Sequence, residues 1–157
     1  MKYIKVLMFL ITINIYSQEI KNIDFIIVID EEITTNSLGI KFLITSKGGS
    51  REVEAVTGYY PGNISLKKSD YDDLISDETQ KVILKFNYQT YIDGKSYYYR
   101  YEIEYNKLWL QDTYNILKIY NLDKRKYRKK LEPLSKDRNY TFELLSPSYT
   151  FIRARKP

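Results

Sequence analysis

Cysteine and histidine are both missing from these 157 residues. Their absence removes Ser-His-Asp and Cys-His nucleophile systems, thiol redox chemistry, disulfide scaffolding, and every zinc, haem or iron-sulfur site built on imidazole or thiolate. Any metal would rest on oxygen ligands alone, and no cofactor is expected. The chain also lacks internal repeats, low-complexity linkers and any long window of helical periodicity. No apolar run reaches the roughly 20 residues that a membrane span requires. What is present is tyrosine, 17 residues of it, in a composition that is 43% hydrophobic and 29% charged and fits one globular domain.

The first 17 residues have the layout of a secretory leader. Lys2 and Lys5 precede a mostly apolar stretch over residues 6–16, and Ser17 supplies a small residue at the end. Cleavage there leaves a domain of residues 18–157 and places the protein outside the cytoplasm, secreted or periplasmic. Loss of Lys2 and Lys5 lowers the formal charge from +5 to +3. So slight an excess does not call for a nucleic-acid partner, which an exported protein would rarely meet.

The remaining chain reads as β-strands joined by turns. Residues 23–29 form a dense β-branched and aromatic run, expected to be a strand buried on both faces. Strands over residues 38–45 and 51–57 flank a glycine-containing turn. Residues 81–88 alternate, with Val82, Leu84, Phe86 and Tyr88 on one side. Asp93-Gly94 is a favoured type I′ dipeptide between two β-prone runs and predicts a hairpin. Beyond it, Tyr97, Tyr99, Tyr101, Ile103 and Tyr105 are assigned to the core face, and Tyr98, Arg100, Glu102 and Glu104 to the wet face. Residues 114–120, 140–145 and 149–155 complete eight or nine strands. Many short strands with regular turn signals predict an all-β fold, an antiparallel β-sandwich of Ig-like or transthyretin-like architecture, with an open β-barrel as the alternative.

Four features bear on function. Asp70, Asp72, Asp73, Asp77 and Glu78 make an oxygen-rich segment of the kind calcium prefers, but it lacks the glycine and distal glutamate of an EF-hand loop. We read it as a solvated loop with one helical turn capped by Ser69. Lys124, Arg125, Lys126, Arg128, Lys129 and Lys130 form a basic run with two readings. It is either an edge strand or a connection kept soluble by its charges, a strand putting Lys124, Lys126, Arg128 and Lys130 on one face, or a docking patch for an anionic surface. Most tyrosines are assigned to packing, whereas Tyr98 and Arg100 alternate onto the wet face and suit recognition. Trp109 falls between strands, where burial under a loop is expected.

No pair of carboxylates is spaced as a catalytic dyad. The sequence therefore points to a non-catalytic exported sandwich that presents a surface to a protein or a glycan, with Tyr98, Arg100, Trp109, Lys126, Arg128 and Lys130 as candidate binding residues. A barrel holding a small apolar ligand in a tyrosine-lined cavity is the alternative.

Overall fold

A computed structural model describes residues 19–152. The leader assigned to residues 1–17, and the last part of the strand expected over 149–155, lie outside the described residues. Eleven strands form two sheets packed face to face and not closed into a barrel. The strands are β1 (Ile20–Ile29), β2 (Glu32–Ile33), β3 (Ile40–Ser46), β4 (Gly49–Glu54), β5 (Tyr59–Tyr60), β6 (Gly62–Lys67), β7 (Thr79–Ile92), β8 (Lys95–Tyr105), β9 (Asn115–Asn121), β10 (Tyr140–Leu145) and β11 (Thr150–Phe151). The larger sheet runs β11-β10-β9-β1-β6-β5, with β2 as a short hairpin partner of β1. The smaller runs β4-β3-β7-β8.

Period-two alternation places one face of each sheet in a shared interior. Ile23, Phe25, Ile27 and Ile29 of β1 meet Ile40, Phe42, Ile44, Leu84, Phe86 and Ile103 of the smaller sheet in a single buried cluster. The expectation that β1 is buried on both faces is corrected here. Its alternate positions Ile26 and Val28 are only half-covered, because a sandwich covers one face of each sheet and leaves the other to local cover. Within the larger sheet, β1 and β9 run parallel, with Phe25 opposite Asn115 and Ile29 opposite Ile119. The other paired strands are antiparallel.

Three further expectations are modified. Helix α1 (Lys68–Ile75) is capped at Lys67, not Ser69. Lys67 still pairs with Ile20 as the last residue of β6, and Lys68 N–H donates to the Glu19 carbonyl, so the strand passes directly into the helix. The basic run is a helical turn, α2 (Arg125–Arg128), and not an edge strand. Tyr127 and Leu131, four residues apart, pack with Leu122 and Tyr120 in a small second cluster, and that spacing suits a helix. Tyr97, placed on the core face by alternation, is exposed, because β7 and β8 extend past the sheet that would cover it.

That extension defines the outline of the molecule. Pairing of β3 with β7 ends at Ile40 opposite Phe86, while β7 and β8 stay paired to Ile92 opposite Lys95. Residues 87–100 therefore form a two-stranded arm, closed by Asp93 and Gly94 with φ of 51° and 75°, as a type I′ turn requires.

Candidate functional site

Sheet edges differ in how much unpaired backbone they offer. β5 and β11 are two residues long, and β4 carries Arg51, Glu52 and Glu54. β8, by contrast, is eleven residues long and, among the described residues, has a strand on one side only. The orientation of its backbone follows from Glu102. Its N–H donates to the Tyr140 hydroxyl at 2.7 Å, and the same hydroxyl donates to its carbonyl, also at 2.7 Å. Arg138 donates to that carbonyl as well. Glu102 thus aims its main chain away from β7, and alternation gives Arg100, Tyr98 and Ser96 the same direction. Tyr140 and Arg138 close the edge at Glu102. From Ser96 to Arg100 it lies open beside a hollow of about 560 Å³ whose walls include Tyr98, Arg100, Asp137 and Tyr140.

Exposed apolar groups gather on this arm. Tyr91 and Tyr98 are 71% and 66% exposed on one face, and Ile92 and Tyr97 are exposed on the other. Gln89 donates to both the Tyr91 hydroxyl and the Ser96 hydroxyl, which organises the first face. At the arm's root the rings of Tyr88, Tyr99 and Tyr101 stack in sequence at 6.5 and 6.1 Å. The Tyr99 hydroxyl bonds Asp123 at 3.0 Å, and partial burial together with that carboxylate pushes its phenol well above the ordinary range. The root is therefore anchored, while among the described residues the tip has neither a third strand nor a covering layer.

Tyr98 and Arg100 share the outward face of β8, and Arg100 pairs with Glu102 at 2.8 Å. Trp109 lies past the far end of the same strand, in a short 3-10 helix (Lys107–Gln111). Its indole is half-buried, edge-on to Tyr105 at 5.1 Å and packed toward Phe151, between two open clefts that both include Glu104. Lys126, Arg128 and Lys130 stand elsewhere, in and after α2, with Lys126 and Lys130 beside Glu31 of the β1–β2 turn. Lys124 pairs with Asp30 and Lys126 with Glu31, at 2.8 and 2.9 Å. The Lys126 ammonium holds the Glu31 carboxyl below its ordinary value. Lys130 borders a hollow of about 80 Å³ with Tyr120 and Glu31. The structure thus unites Tyr98 with Arg100, sets Trp109 at the other end of their strand, and puts the basic residues against a different element.

The acidic segment is spread along α1 and the turn after it. Arg51 pairs with Asp70 and Asp73, Lys68 with Asp72, and Lys107 approaches Asp77. Among the described residues, no group of three or more acidic side chains is placed to hold a metal ion. The interior tyrosines are packed between the sheets with their hydroxyls engaged: Tyr101 on Asn121, Tyr105 on Asn115, and Tyr59 on the backbone of Ile27 and Thr34. No described helix is long and apolar enough to cross a membrane.

Two features of the candidate site escaped the sequence reading. Tyr91 joins Tyr98 because the turn at Asp93-Gly94 fixes the register that sets them diagonally across the arm, a signal present in the dipeptide. The closure at Glu102 depends on Tyr140 and Arg138, 38 and 36 residues away, and had no local sign. Comparison with family models, curated proteins and solved structures returns no match to this chain.

Proposed function

We propose that this chain is a small exported, non-catalytic β-sandwich that binds a protein partner along the free edge of β8, with the tyrosines of the arm as anchors. The observation that carries the reading is the contrast along one strand. Glu102 has both main-chain groups bonded by Tyr140, whereas Ser96, Tyr98 and Arg100 direct theirs into open space. Folded proteins normally blunt such edges, and one left long and flanked by aromatic residues is a template for strand addition. A polypeptide suits the place better than a glycan, because main-chain donors and acceptors in alternation match another strand and not a sugar ring.

Selection of a random twelve-residue display library on the immobilised domain tests the reading. Enriched peptides are expected to alternate apolar and polar residues and to lack proline. Tyr98→Pro should weaken them at least tenfold, because it removes an outward N–H while leaving the β7–β8 ladder intact. Trp109→Ala should leave them unchanged. Failure to enrich any peptide, or binders indifferent to Tyr98→Pro, would overturn it, and binding to a glycan array lost in Tyr98→Ala would move the site to the other ligand class.

A further inference from the structure

We infer that the strand received by β8 is β8 of a second copy, paired antiparallel about a twofold axis through Tyr98. This rests on the proposed edge reading and names its partner. The argument begins with parity. An antiparallel ladder formed on this edge must join residues whose main chains point outward, and Ser96, Tyr98 and Arg100 all do so. A register centred on Tyr98 joins Tyr98 to Tyr98 and Ser96 to Arg100 twice over, so each outward group meets another.

Length selects the same register. The free edge is bounded at one end by the Asp93-Gly94 turn and at the other by the Tyr140 and Arg138 bonds to Glu102. With Tyr98 on the axis, the outermost outward pair is Arg100 with Ser96 of the second copy, so the ladder uses the three free positions and stops short of the bonds that close Glu102. The two sandwiches then lie at opposite ends of the paired arms, which keeps their bulk apart.

Side chains agree with the pairing. Directly opposed residues share a face, which brings Tyr98 against Tyr98 on one side and Tyr97 against Tyr99 of the second copy, twice, on the other. Charge is compatible as well. Arg100 meets Ser96, and Lys95 of the second copy comes one position from Glu102, so no like charges are opposed. Tyr97 and Tyr98 leave on the order of a few hundred Å² per copy to be covered, and specific complexes of that size lie at the low end of the range. A reversible dimer at micromolar concentration is therefore expected rather than an obligate one.

The cysteine-free sequence gives a clean test. At the axis, a residue faces its own copy at a Cα separation of about 5.5 Å, inside the range a disulfide spans. Residues 96 and 100 are each about 14 Å from their own copies, since four strand positions separate them. Under mild oxidation at micromolar concentration, Tyr98→Cys should form a covalent dimer at least tenfold faster than Ser96→Cys or Arg100→Cys. Sedimentation should show the unmodified domain passing from monomer to dimer as concentration rises, and Tyr98→Pro should stay monomeric with an unchanged circular dichroism spectrum.

A monomer at every concentration, or equal cross-linking of the three cysteine variants, would refute the second copy. If selected peptides still bind that monomer in a manner sensitive to Tyr98→Pro, the edge reading survives and only its partner is wrong. If peptides fail as well, both fall.

Discussion

Replacing Tyr59 by phenylalanine removes one oxygen, yet the structure makes that oxygen part of the larger sheet's hydrogen bonding. Pairing of β6 with β1 stops at Phe25, and β2 does not take over until Val28. Ile27 lies in the gap. Its carbonyl accepts from Thr34 N–H at 2.9 Å, and its own N–H donates to the Tyr59 hydroxyl at 3.1 Å. The hydroxyl then donates to the Thr34 carbonyl at 3.2 Å. Tyr59 is fully buried, so water cannot replace the lost oxygen without rearrangement. Each main-chain group left unpaired costs about 1–3 kcal/mol, and two of them give a loss of roughly 2–6 kcal/mol, with only a small cavity added. At a urea m-value of about 2 kcal/mol/M the unfolding midpoint should fall by roughly 1–3 M. Trp109 fluorescence and far-ultraviolet circular dichroism would read the transition together. Tyr60→Phe is the control, since the Tyr60 side chain is mostly exposed. Equal midpoints for the two variants, within about 0.3 M, would refute the claim that Tyr59 completes the ladder.

Gly58 has φ of +70°, and a Cβ there would stand 2.6 Å from the Leu38 carbonyl oxygen. Gly58→Ala should therefore cost at least about 2 kcal/mol in urea unfolding, whereas an alanine tolerated within experimental error would contradict that contact. Glu31 occupies the left-handed region at φ 74° and makes a solvent-exposed ion pair with Lys126. Glu31→Gly should relieve about 1 kcal/mol of backbone strain and raise the melting temperature by a few degrees; a lower one would show that the pair outweighs the strain. Burial raises the phenols of Tyr71, Tyr101, Tyr105 and Tyr140 above their ordinary values. The folded state thus favours the protonated form, so this stability is fully present below about pH 10 and is lost as pH rises toward the folded-state values. Phenolate absorbance of these residues should appear together with loss of circular dichroism, and ionisation in a chain that stays folded would argue against their burial.

How much of this was legible in the sequence depends on the range over which each feature is specified. The hairpin was readable, because Asp93-Gly94 dictates a tight turn and alternation carries the register outward from it. Alternation also separated Tyr98 and Arg100 from Tyr101, Ile103 and Tyr105. It could not report where the covering sheet ends, which is why Tyr97 was assigned to a core that stops short of it. The basic run misled for a different reason. Lys124, Lys126 and Lys130 alternate as well as strand residues do, and the turn of helix is chosen by Leu122, Tyr127 and Leu131 packing against Tyr120. The closure of β8 at Glu102 and the pairing of β1 with β9 join residues far apart in the chain, and composition and spacing hold no record of either.

The parallel β1–β9 pair has a temporal consequence. β1 is central in its sheet, but one flank is supplied by β6 and the other by β9, and Asp30 receives hydrogen bonds from Asn121 across 91 positions of chain. During synthesis at about 5–20 residues per second, β1 waits several seconds for its second neighbour. Loop closure on that scale makes folding slow, in the millisecond-to-second class typical of non-local β topologies. Until β9 and β10 are complete, one of the most apolar strands of the protein stands with an open side, and the nascent chain is in greatest need of protection from its neighbours during that interval.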